Sequence, residues 1–473
     1  MTAGLEQHLK EHLSSARWFG GKGREFEVTD VRRLALPGSA DPDTTAPLGM
    51  VSIELVTVTY APSAPGVAPE TDVYQVPLSF YLGERPRLSH ALVGHWDDAE
   101  LGEVWAYDAL HDHSATPLWL RGFVEGKPVG DIVFHRVGDD PIDVHARSTI
   151  MSVEQSNSSV VFGDDSLMKL FRRVTPGQNP DIEITAALTE TGNEHVAALF
   201  GWAETRTDDG DVLQLGILQQ FLRTASDGWE LALASLRNLY ADEDMHAEES
   251  GGDFASEAHR LGASVADLHT SLAAAFPTET WGAEQLVRLA DDMDARLDVA
   301  VTVVPGLEEH ATGLRVVFDS LRQVDRPVTA QRVHGDLHLG QTLRTVKNWK
   351  IIDFEGEPAK QLAERRLPDT PWRDVAGMLR SFSYAGELSR LDREQAVADE
   401  EGVVAERAQE WASRNRKAFL AGYQEASGGE LDGTLITAYA ADKAVYEAVY
   451  EARNRPTWLR IPMAALAHLA VHP

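Results

Sequence analysis

The segment from Val333 to Gln341 holds two side chains whose types and spacing suit phosphoryl transfer. Asp336 is followed five residues later by the amide of Gln341, and a second carboxylate, Asp353, comes twelve residues after Gln341. One carboxylate can take the proton of an attacking hydroxyl, while an amide oxygen and a second carboxylate can hold Mg²⁺ against a triphosphate. The sequence therefore predicts Asp336 as a catalytic base, and Gln341 and Asp353 as magnesium ligands.

The run that follows the second carboxylate departs from the protein-kinase pattern. Protein kinases carry Asp-Phe-Gly at this point, with Asn as the amide ligand. Here the run is Asp353-Phe354-Glu355-Gly356, with one residue inserted before the glycine, and the amide is Gln. The spacing from base to amide is nevertheless the same, so the prediction of a kinase-type site is kept.

Two histidines flank the predicted base. His334 is expected to hold the loop by hydrogen bonds, and it also stands among our candidate acceptor-contacting residues, together with Asp336. A hydrogen-bonded loop residue is the preferred interpretation of His338. A rival hypothesis takes the two histidines and Asp336 as a metal-hydrolase cluster, but such enzymes need several further His or Asp ligands. The other histidines of the chain form no comparable group.

A kinase also needs groups that contact the nucleotide. A turn of small polar residues at 154–159 could contact phosphate through its N–H groups, which makes ATP-binding candidates of Ser156, Asn157, Ser158 and Ser159; an ordinary hairpin turn is the alternative. Lys169, within an apolar run, is predicted to anchor the phosphates, with Glu183 of the next helix as its partner. Residues 219–222 are the candidate hinge for the adenine edge, and our predicted contacts there are Gln220, Phe221 and Leu222.

Composition narrows the classes of protein that the chain can belong to. The 473 residues carry a formal net charge of −31, which argues against nucleic acid as a partner. There is no cysteine, so disulfides, zinc–thiolate sites and thiol nucleophiles are excluded. The N-terminal residues lack the apolar segment of a secretory signal, and no run is long and apolar enough to span a membrane. We therefore expect a cytoplasmic protein that binds neither nucleic acid nor membranes.

The elements that must position these residues change in type along the chain. A helix near 3–15 is followed by alternating strand-like runs at 26–34, 50–60 and 71–82. A helix is predicted near 103–111, strands near 117–125, 131–136, 167–171 and 212–222, and two strands joined by a polar turn within 152–161. From about 226 the apolar spacing becomes helical, with helices at 231–240, 254–274, 283–304, 314–323, 373–383, 401–424 and 435–451.

This pattern predicts an α+β, bilobal, protein-kinase-like fold. Three segments are expected: an N-terminal cap subdomain at 1–90, an intermediate β-rich subdomain at 91–222 that completes the N-terminal lobe, and a helical C-terminal lobe at 223–473. A chain of this length is too long for a single ordinary core.

Several motifs together carry a resemblance to a known family. They are Arg17-Trp18-Phe19-Gly20-Gly21-Lys22-Gly23-Arg24, Glu154-Gln155-Ser156-Asn157-Ser158-Ser159-Val160, Gly251-Gly252-Asp253-Phe254, the segment from Gln331 to Gln341, and Ile352-Asp353-Phe354-Glu355-Gly356-Glu357-Pro358. With these, nearly the whole chain resembles the actinobacterial maltokinases, in the aminoglycoside-phosphotransferase-like branch of the eukaryotic-type kinases.

The resemblance implies an activity and a pathway. Maltokinases transfer the γ-phosphoryl group of ATP to the anomeric hydroxyl of maltose with Mg²⁺, and the maltose 1-phosphate formed feeds α-glucan synthesis from trehalose. Trehalose synthase is a partner of some family members and is expected here only as a candidate. The roles carried over are base for Asp336, metal ligands for Gln341 and Asp353, and phosphate anchor for Lys169.

The acceptor site is predicted in the C-terminal helices, chiefly because of this resemblance. Carboxylates and aromatic rings suit sugars, since carboxylates accept hydrogen bonds from hydroxyls and rings cover apolar sugar faces. The alternative is an acidic, solvated helix face. Arg414 and Arg416 could extend the site with weaker support. The candidates are Trp411, Asp442, Tyr446, Glu447 and Glu451.

Two further hypotheses stay open from the sequence. The same acidic residues could hold an amine, which would make the acceptor an amino sugar such as glucosamine or another small hydroxylated compound. A third, non-catalytic hypothesis is a nucleotide-binding pseudokinase that regulates trehalose synthase. The complete set of base, metal ligands and lysine speaks against it.

Overall fold

The computed structural model describes most of the chain, and its contacts divide it into two units. The described residues are 3–36, 48–62, 68–151, 156–240, 246–247, 253–357, 360–396 and 402–471. Unit 1 comprises residues 1–190 and 197–223, and unit 2 comprises 191–196 and 224–473. The segment boundaries that we predicted at 90 and 222 stay predictions. Glu154, Gln155, Gly251, Gly252 and Pro358 of the sequence motifs lie outside the described residues.

Unit 1 is built from two antiparallel sheets. The first has the strand order β1-β2-β3-β5-β4, with β11 pairing β3, and the second has the order β6-β7-β12-β13-β10-β9-β8. The strands are β1 (Phe26–Leu36), β2 (Leu48–Tyr60), β3 (Thr71–Tyr81), β4 (Leu92–Asp98), β5 (Gly102–Asp108), β6 (Pro128–Val129), β7 (Ile132–Arg136), β8 (Ser148–Ile150), β9 (Asn157–Phe162), β10 (Ser166–Phe171), β11 (Arg173–Val174), β12 (Leu199–Arg206) and β13 (Val212–Gln220). The helices are α1 (Ala3–Ser15), α2 (Thr116–Glu125) and α3 (Pro180–Glu190).

One apolar core serves both sheets. Leu34 of β1 and Ile53 of β2 belong to the same buried cluster as Met168 of β10 and Ile217 of β13. Strand alternation explains this, because one set of alternate residues on β1 and β2 faces the second sheet. The other set, including Val56 and Val58, packs in a separate core with α1.

Two predicted elements in unit 1 were wrong. Residues 102–108 form a strand rather than a helix, and Val104 and Ala106 are its buried alternate positions. Residues 116–125 form a helix rather than a strand. Pro117 stands in its first turn, and Gly126 ends it in the left-handed conformation at φ 58°, which suits glycine because it has no Cβ. Both stretches are short and apolar, so periodicity alone could not separate the two structures.

Unit 2 is mostly helical, as predicted. Its helices are α4 (Gly228–Leu239), α5 (Ala255–Ala275), α6 (Ala283–Val303), α7 (Glu308–Arg322), α8 (Leu362–Arg365), α9 (Trp372–Ala396), α10 (Val403–Ser427), α11 (Gly433–Asn454) and α12 (Arg460–Val471). Its short strands are β14 (Ser226–Asp227), β15 (Glu279–Trp281), β16 (Val328–Ala330), β17 (Thr342–Arg344) and β18 (Trp349–Ile351). The predicted α+β class, with β-rich N-terminal and helical C-terminal halves, is confirmed.

Helices α5 and α10 touch through two glycines. A Cβ added at Gly262 would lie 2.1 Å from the Phe419 carbonyl oxygen, and one at Gly422 would lie 2.0 Å from the His259 carbonyl oxygen. The backbones therefore lie closer than any side chain would allow. In the described part of the chain no helix is long and apolar enough to cross a membrane.

Candidate active site

The loop that carries Asp336 is held by one buried carboxylate. Asp374, 1% exposed in the first turn of α9, accepts hydrogen bonds from the backbone N–H of His334 at 2.7 Å and of Gly335 at 2.8 Å. His269 of α5 contacts it at 3.1 Å. Burial acts to raise the pKa of Asp374, but its hydrogen bond and ion pair with His269 hold that pKa below its usual value. The loop backbone is thus tied to two helices next to the predicted base.

Gly335 and His334 complete this loop. Gly335 adopts φ 84°, in the region that favours glycine. His334 is 1% exposed, and its Nε2 donates to the carbonyl oxygen of Ile352 at 3.0 Å while its Nδ1 accepts from the N–H of Asp336 at 3.3 Å. Both ring nitrogens are used inside the loop. The expectation that His334 holds the loop is in keeping with this, whereas its place among the acceptor contacts is corrected, because no ring nitrogen is left for a ligand.

A β-hairpin brings the two predicted metal ligands together. Strand β17 pairs with β18, and the N–H of Ile352 donates to the carbonyl oxygen of Gln341 at 3.0 Å. Gln341 Nε2 then donates to Asp353 Oδ2 at 3.0 Å. The amide nitrogen is used in that bond, so its carbonyl oxygen is the atom that suits a cation. An amide oxygen beside a carboxylate is a hard-oxygen donor set of the kind that Mg²⁺ prefers.

Asp353 itself has an unusual backbone. Its φ of 68° lies in the left-handed region, which only two non-glycine residues adopt in the described part of the chain. Such conformations cost free energy and concentrate at functional sites. This strain is independent of the sequence motif and singles out the same residue.

A cavity of about 530 Å³ opens beside Asp336 within unit 2. Its walls carry aromatic rings and several charged groups. The aromatic members are Trp229, Tyr384, Tyr446, Tyr450 and Trp458, and the polar and charged members include Asp336, His338, Lys443, Glu447, Glu451 and Arg455. A concave cavity that combines aromatic rings with convergent polar groups is typical of a small-molecule site.

Lys443 is the site residue that sequence reasoning missed. Its Nζ lies 2.6 Å from Asp336 Oδ1. Burial acts to lower the pKa of Lys443, and the Asp336 carboxylate more than offsets this, so the pKa is raised and the lysine stays charged. The two residues are 107 positions apart, so no local pattern could join them. In the sequence, Lys443 stands directly after Asp442 and three residues before Tyr446, which are both predicted acceptor residues.

Four of the predicted acceptor residues line the cavity, namely Asp336, Tyr446, Glu447 and Glu451. Glu447 accepts an ion-paired hydrogen bond from Arg380. Glu451 is 2% exposed; its Oε1 accepts from the Tyr384 hydroxyl at 2.6 Å and from Arg455 at 2.9 Å, while its Oε2 is buried without a hydrogen-bond partner. Burial raises the pKa of Tyr446, which keeps its hydroxyl protonated.

Asp442 and Trp411 do not line this cavity. Asp442 accepts two hydrogen bonds from Arg296, at 2.7 and 2.9 Å, and lines a smaller cavity of about 40 Å³ whose wall also includes Asp336 and Lys443. Trp411 is fully buried and its Nε1 donates to Ser235. The prediction of Trp411 as a sugar contact was wrong, because its ring is packed in the helical core, where a ligand cannot reach it.

The predicted nucleotide residues of unit 1 are placed as follows. Lys169 on β10 forms an ion pair with Asp181 at 3.3 Å. Glu183, the predicted partner, lies with Asp181 in the first turn of α3, and its pairing with Lys169 stays a prediction. Gln220 ends β13, and Phe221 donates its N–H to the carbonyl oxygen of Asp165 at 2.8 Å, with Leu222 half-buried beyond it.

The polar turn was predicted too long. Asn157, Ser158 and Ser159 belong to strand β9, and Ser156 is the one residue of the predicted turn that the structure describes ahead of it. Ser159 is fully buried, and Ser158 accepts a hydrogen bond from Arg172 at 2.8 Å. These two hydroxyls therefore lie in the protein interior. Small polar residues fit between packed strands as well as they fit a turn. Ser156 is exposed and remains a predicted phosphate contact.

Comparison with known proteins gives one family match and several relatives. Residues 12–112 match the model of the maltokinase N-terminal cap domain. A glucosamine kinase of Streptacidiphilus jiangxiensis is 27% identical over 331 residues, which is 67% of this chain and 72% of that protein. A glucosamine kinase of Mycolicibacterium smegmatis (strain ATCC 700084 / mc(2)155) is 25% identical over 333 residues, 67% of this chain and 78% of that protein.

The fold is shared with a solved structure along nearly the full length. A glucosamine kinase in complex with glucosamine, ADP and inorganic phosphate aligns with a TM-score of 0.66 and 21% identity, covering 99% of this chain and 100% of that one. These matches are to kinases, and they are in keeping with a phosphotransferase that acts on an alcohol group. Residues 12–112 are thus similar to the maltokinase cap domain, as the sequence motifs predicted, and the chain shares the fold of the glucosamine kinase structure along nearly its full length.

Proposed function

We propose that this kinase phosphorylates the anomeric hydroxyl of maltose with ATP, giving maltose 1-phosphate and ADP. Asp336 accepts or orients the proton of the attacking hydroxyl, and Lys443 stabilises the charge that builds up beside it. Most of the rate gain then comes from positioning and fixed electrostatics, as in other phosphoryl transfers.

The charge balance of the cavity is the observation that carries the choice of acceptor. Glu447 is neutralised by Arg380 and Glu451 by Arg455, while Asp336 faces Lys443. Each carboxylate of the cavity wall therefore has its own cation, which suits a neutral sugar better than an ammonium group. The five aromatic rings offer apolar faces for sugar rings.

A specific observation favours a second candidate, an amino sugar such as glucosamine. The buried Oε2 of Glu451 has no hydrogen-bond partner, and a buried carboxylate oxygen without a donor is costly. An ammonium group would supply a charged donor there, whereas a sugar hydroxyl would supply a neutral one. The two relatives reported above are named as glucosamine kinases.

The nucleotide and metal roles are proposed by analogy with kinases. Mg²⁺, when bound, neutralises charge on the phosphates, and Gln341 and Asp353 would hold it. Lys169 would anchor the phosphates, with Ser156 and residues 220–222 as further ATP contacts. We also propose a cytoplasmic location, because the donor nucleotide is made there. Trehalose synthase as a partner, and Asp442, Ser158, Ser159, Asn157 and Glu183 as site residues, rest on the sequence alone.

A side-by-side acceptor panel tests the proposal. Maltose, glucosamine, glucose and trehalose are compared by kcat/KM at saturating ATP and Mg²⁺, and ³¹P NMR locates the phosphate on the product. Maltose is expected to give the highest kcat/KM, with phosphate on the anomeric carbon. A higher kcat/KM for glucosamine than for maltose would show that the acceptor is the amino sugar. Nucleotide binding without turnover of any acceptor would favour the pseudokinase.

Glu451→Gln separates the two acceptors at a single residue. If the acceptor is a neutral sugar, the variant loses one ordinary hydrogen bond, and KM rises about fivefold. An ammonium acceptor would lose a charged partner, and KM would rise by about 10- to 100-fold. The matched control is Glu425→Gln, an exposed residue of α10 paired with His259, which removes the same charge and should leave KM unchanged.

A further inference from the structure

A second cavity of unit 2 lies apart from the acceptor cavity. Its volume is about 450 Å³, and α9, α10, α11 and α12 supply its walls. Two arginines, Arg380 and Arg416, line it together with Ser383 and a set of apolar side chains that includes Ile436, Ile461 and Leu469. The residues proposed above for catalysis and for the wall of the acceptor cavity do not line it, whereas Arg416, which the sequence suggested as an extension of the acceptor site, lies here instead.

Arg380 has hydrogen-bonding capacity left inside this cavity. Its side chain is buried, with the residue 6% exposed, and its Nη2 donates to Glu447. Its Nε is buried and has no hydrogen-bond partner. A buried guanidinium N–H without an acceptor is unfavourable, so the position suits an anion that is supplied from outside the chain.

Arg416 adds a second positive charge. It lies on α10 at the exposed side of the cavity. Partial burial, and then repulsion from Arg380, lower the pKa of Arg416, although an arginine remains charged at neutral pH. Among the residues that the structure describes, no carboxylate forms an ion pair with Arg416. Two arginines that repel each other across a cavity are stabilised by a shared anion.

The acidic residue in the same wall is already paired. Glu387 of α9 lies 2.9 Å from Arg390, so it does not neutralise the two arginines. Arg380 is likewise paired, with Glu447, so the net positive charge of the cavity is that of Arg416, within a chain of net charge −31. The remaining wall is apolar, which favours a ligand with a carbon body over a bare inorganic ion.

We propose that this cavity binds a small organic anion, with its phosphate or carboxylate group on Arg380 and Arg416 and its carbon body against Ile436, Ile461 and Leu469. The proposal concerns binding and stands apart from the proposed acceptor. Phosphate and carboxylate offer the same acceptor chemistry to a guanidinium fork, so both are included as probes.

Isothermal titration calorimetry on the full chain tests the proposal with four probes. Phenyl phosphate and hexanoate carry an anionic group on a carbon body, inorganic phosphate lacks the body, and hexanol lacks the charge. One or both organic anions are expected to bind at least tenfold more tightly than inorganic phosphate and hexanol. Equal affinity for inorganic phosphate, or no binding of either organic anion, would overturn the proposal.

Arg416→Gln locates the bound anion. The substitution is exposed and outside the catalytic machinery, so the fold and the basal activity should persist. Affinity for the organic anion is expected to fall at least tenfold. The control Arg288→Gln removes the same charge from the exposed face of α6, where Arg288 pairs with Glu284, and should leave affinity unchanged. Equal affinities in the two variants would place the anion elsewhere and refute the assignment.

Discussion

Asp336 is positioned by the backbone of its loop and lies beside a half-buried lysine. Its loop is fixed through the N–H groups of His334 and Gly335, and its Oδ1 lies 2.6 Å from Lys443. The carboxylate is thus held in one position and kept beside a permanent cation. A base prepared in this way needs little reorganisation when the acceptor hydroxyl arrives.

Asp336→Asn should abolish most of the activity without unfolding the chain. Asparagine keeps the shape but cannot take a proton, so kcat is expected to fall by about 10²- to 10⁴-fold, the usual range for a general base. A coupled ADP-release assay measures kcat, and circular dichroism checks the fold. Asp319→Asn, an exposed residue paired with Arg322, is the matched control. Near-normal turnover in Asp336→Asn would refute the assignment of the base.

The residue scale also shows where prediction from sequence reached its limit. Asp336, Gln341 and Asp353 could be chosen because their spacing is local and one hairpin joins them. Lys443 could not, since it meets Asp336 only through the packing of α11. Trp411 was misassigned because a core tryptophan and a sugar-binding tryptophan look the same in a helix.

At the scale of elements, helix α9 is the support of the catalytic loop. Asp374 binds the loop backbone, Ser381 accepts from the N–H of Leu339 at 3.1 Å, and a Cβ at Gly377 would lie 2.6 Å from the carbonyl oxygen of Leu337. The helix was predicted from its apolar period, but its polar contacts with the loop were not. The errors at 102–108 and 116–125 have a related cause, because local pattern leaves short apolar stretches undecided.

Asp374→Asn should weaken both stability and catalysis. The variant leaves His269 and two loop N–H groups without a carboxylate, which costs on the order of 3 kcal/mol of unfolding free energy. The pKa of Asp374 is lowered in the folded state, so its contribution is present above the unfolded pKa of about 3.9 and is lost as the pH falls through the folded value. The stability difference between wild type and variant should therefore be constant near neutrality and shrink below about pH 4.

Urea unfolding at several pH values measures this difference. The matched control is Asp392→Asn. It removes an exposed carboxylate from the same helix, about three turns beyond Ser381, and should change the free energy of unfolding little. A wild-type advantage that grew on acidification would contradict the lowered pKa of Asp374. An unchanged kcat in Asp374→Asn would show that the loop does not depend on this carboxylate.

At the scale of the whole molecule, the region matched by the cap family is not an independent body. Strands β1 and β2 share a buried cluster with β10 and β13, and β11 pairs with β3. Arg172, 1% exposed, forms a buried ion pair with Asp108 at 3.0 Å and lies over the ring of Trp18. The Trp18 motif, which the sequence left without a role, therefore belongs to the packing of unit 1.

A chain that lacks residues 1–112 should fail to fold in unit 1. Removing the first sheet exposes the apolar face of the second sheet. It also leaves the buried Arg172 without the carboxylate of Asp108. The free energy lost is large compared with the stability of a typical domain. Hydrogen exchange of the full chain should show β2 and β10 opening together, in one cooperative transition. Independent exchange of the two sheets, or a well-folded truncated chain, would contradict this shared core.

The contact of α5 with α10 at Gly262 and Gly422 is connected to the catalytic loop through three side chains. Gly422 is followed by Tyr423, whose hydroxyl lies 2.9 Å from His269 Nδ1, and the other nitrogen of His269 contacts Asp374. A side chain at position 262 or 422 would push the helices apart and move this histidine. In a saturation mutagenesis scan, both positions should therefore be as intolerant as the active-site loop, although neither is near a substrate. The positions most sensitive to mutation would then include the helix contacts that position Asp336 as well as the catalytic residues themselves.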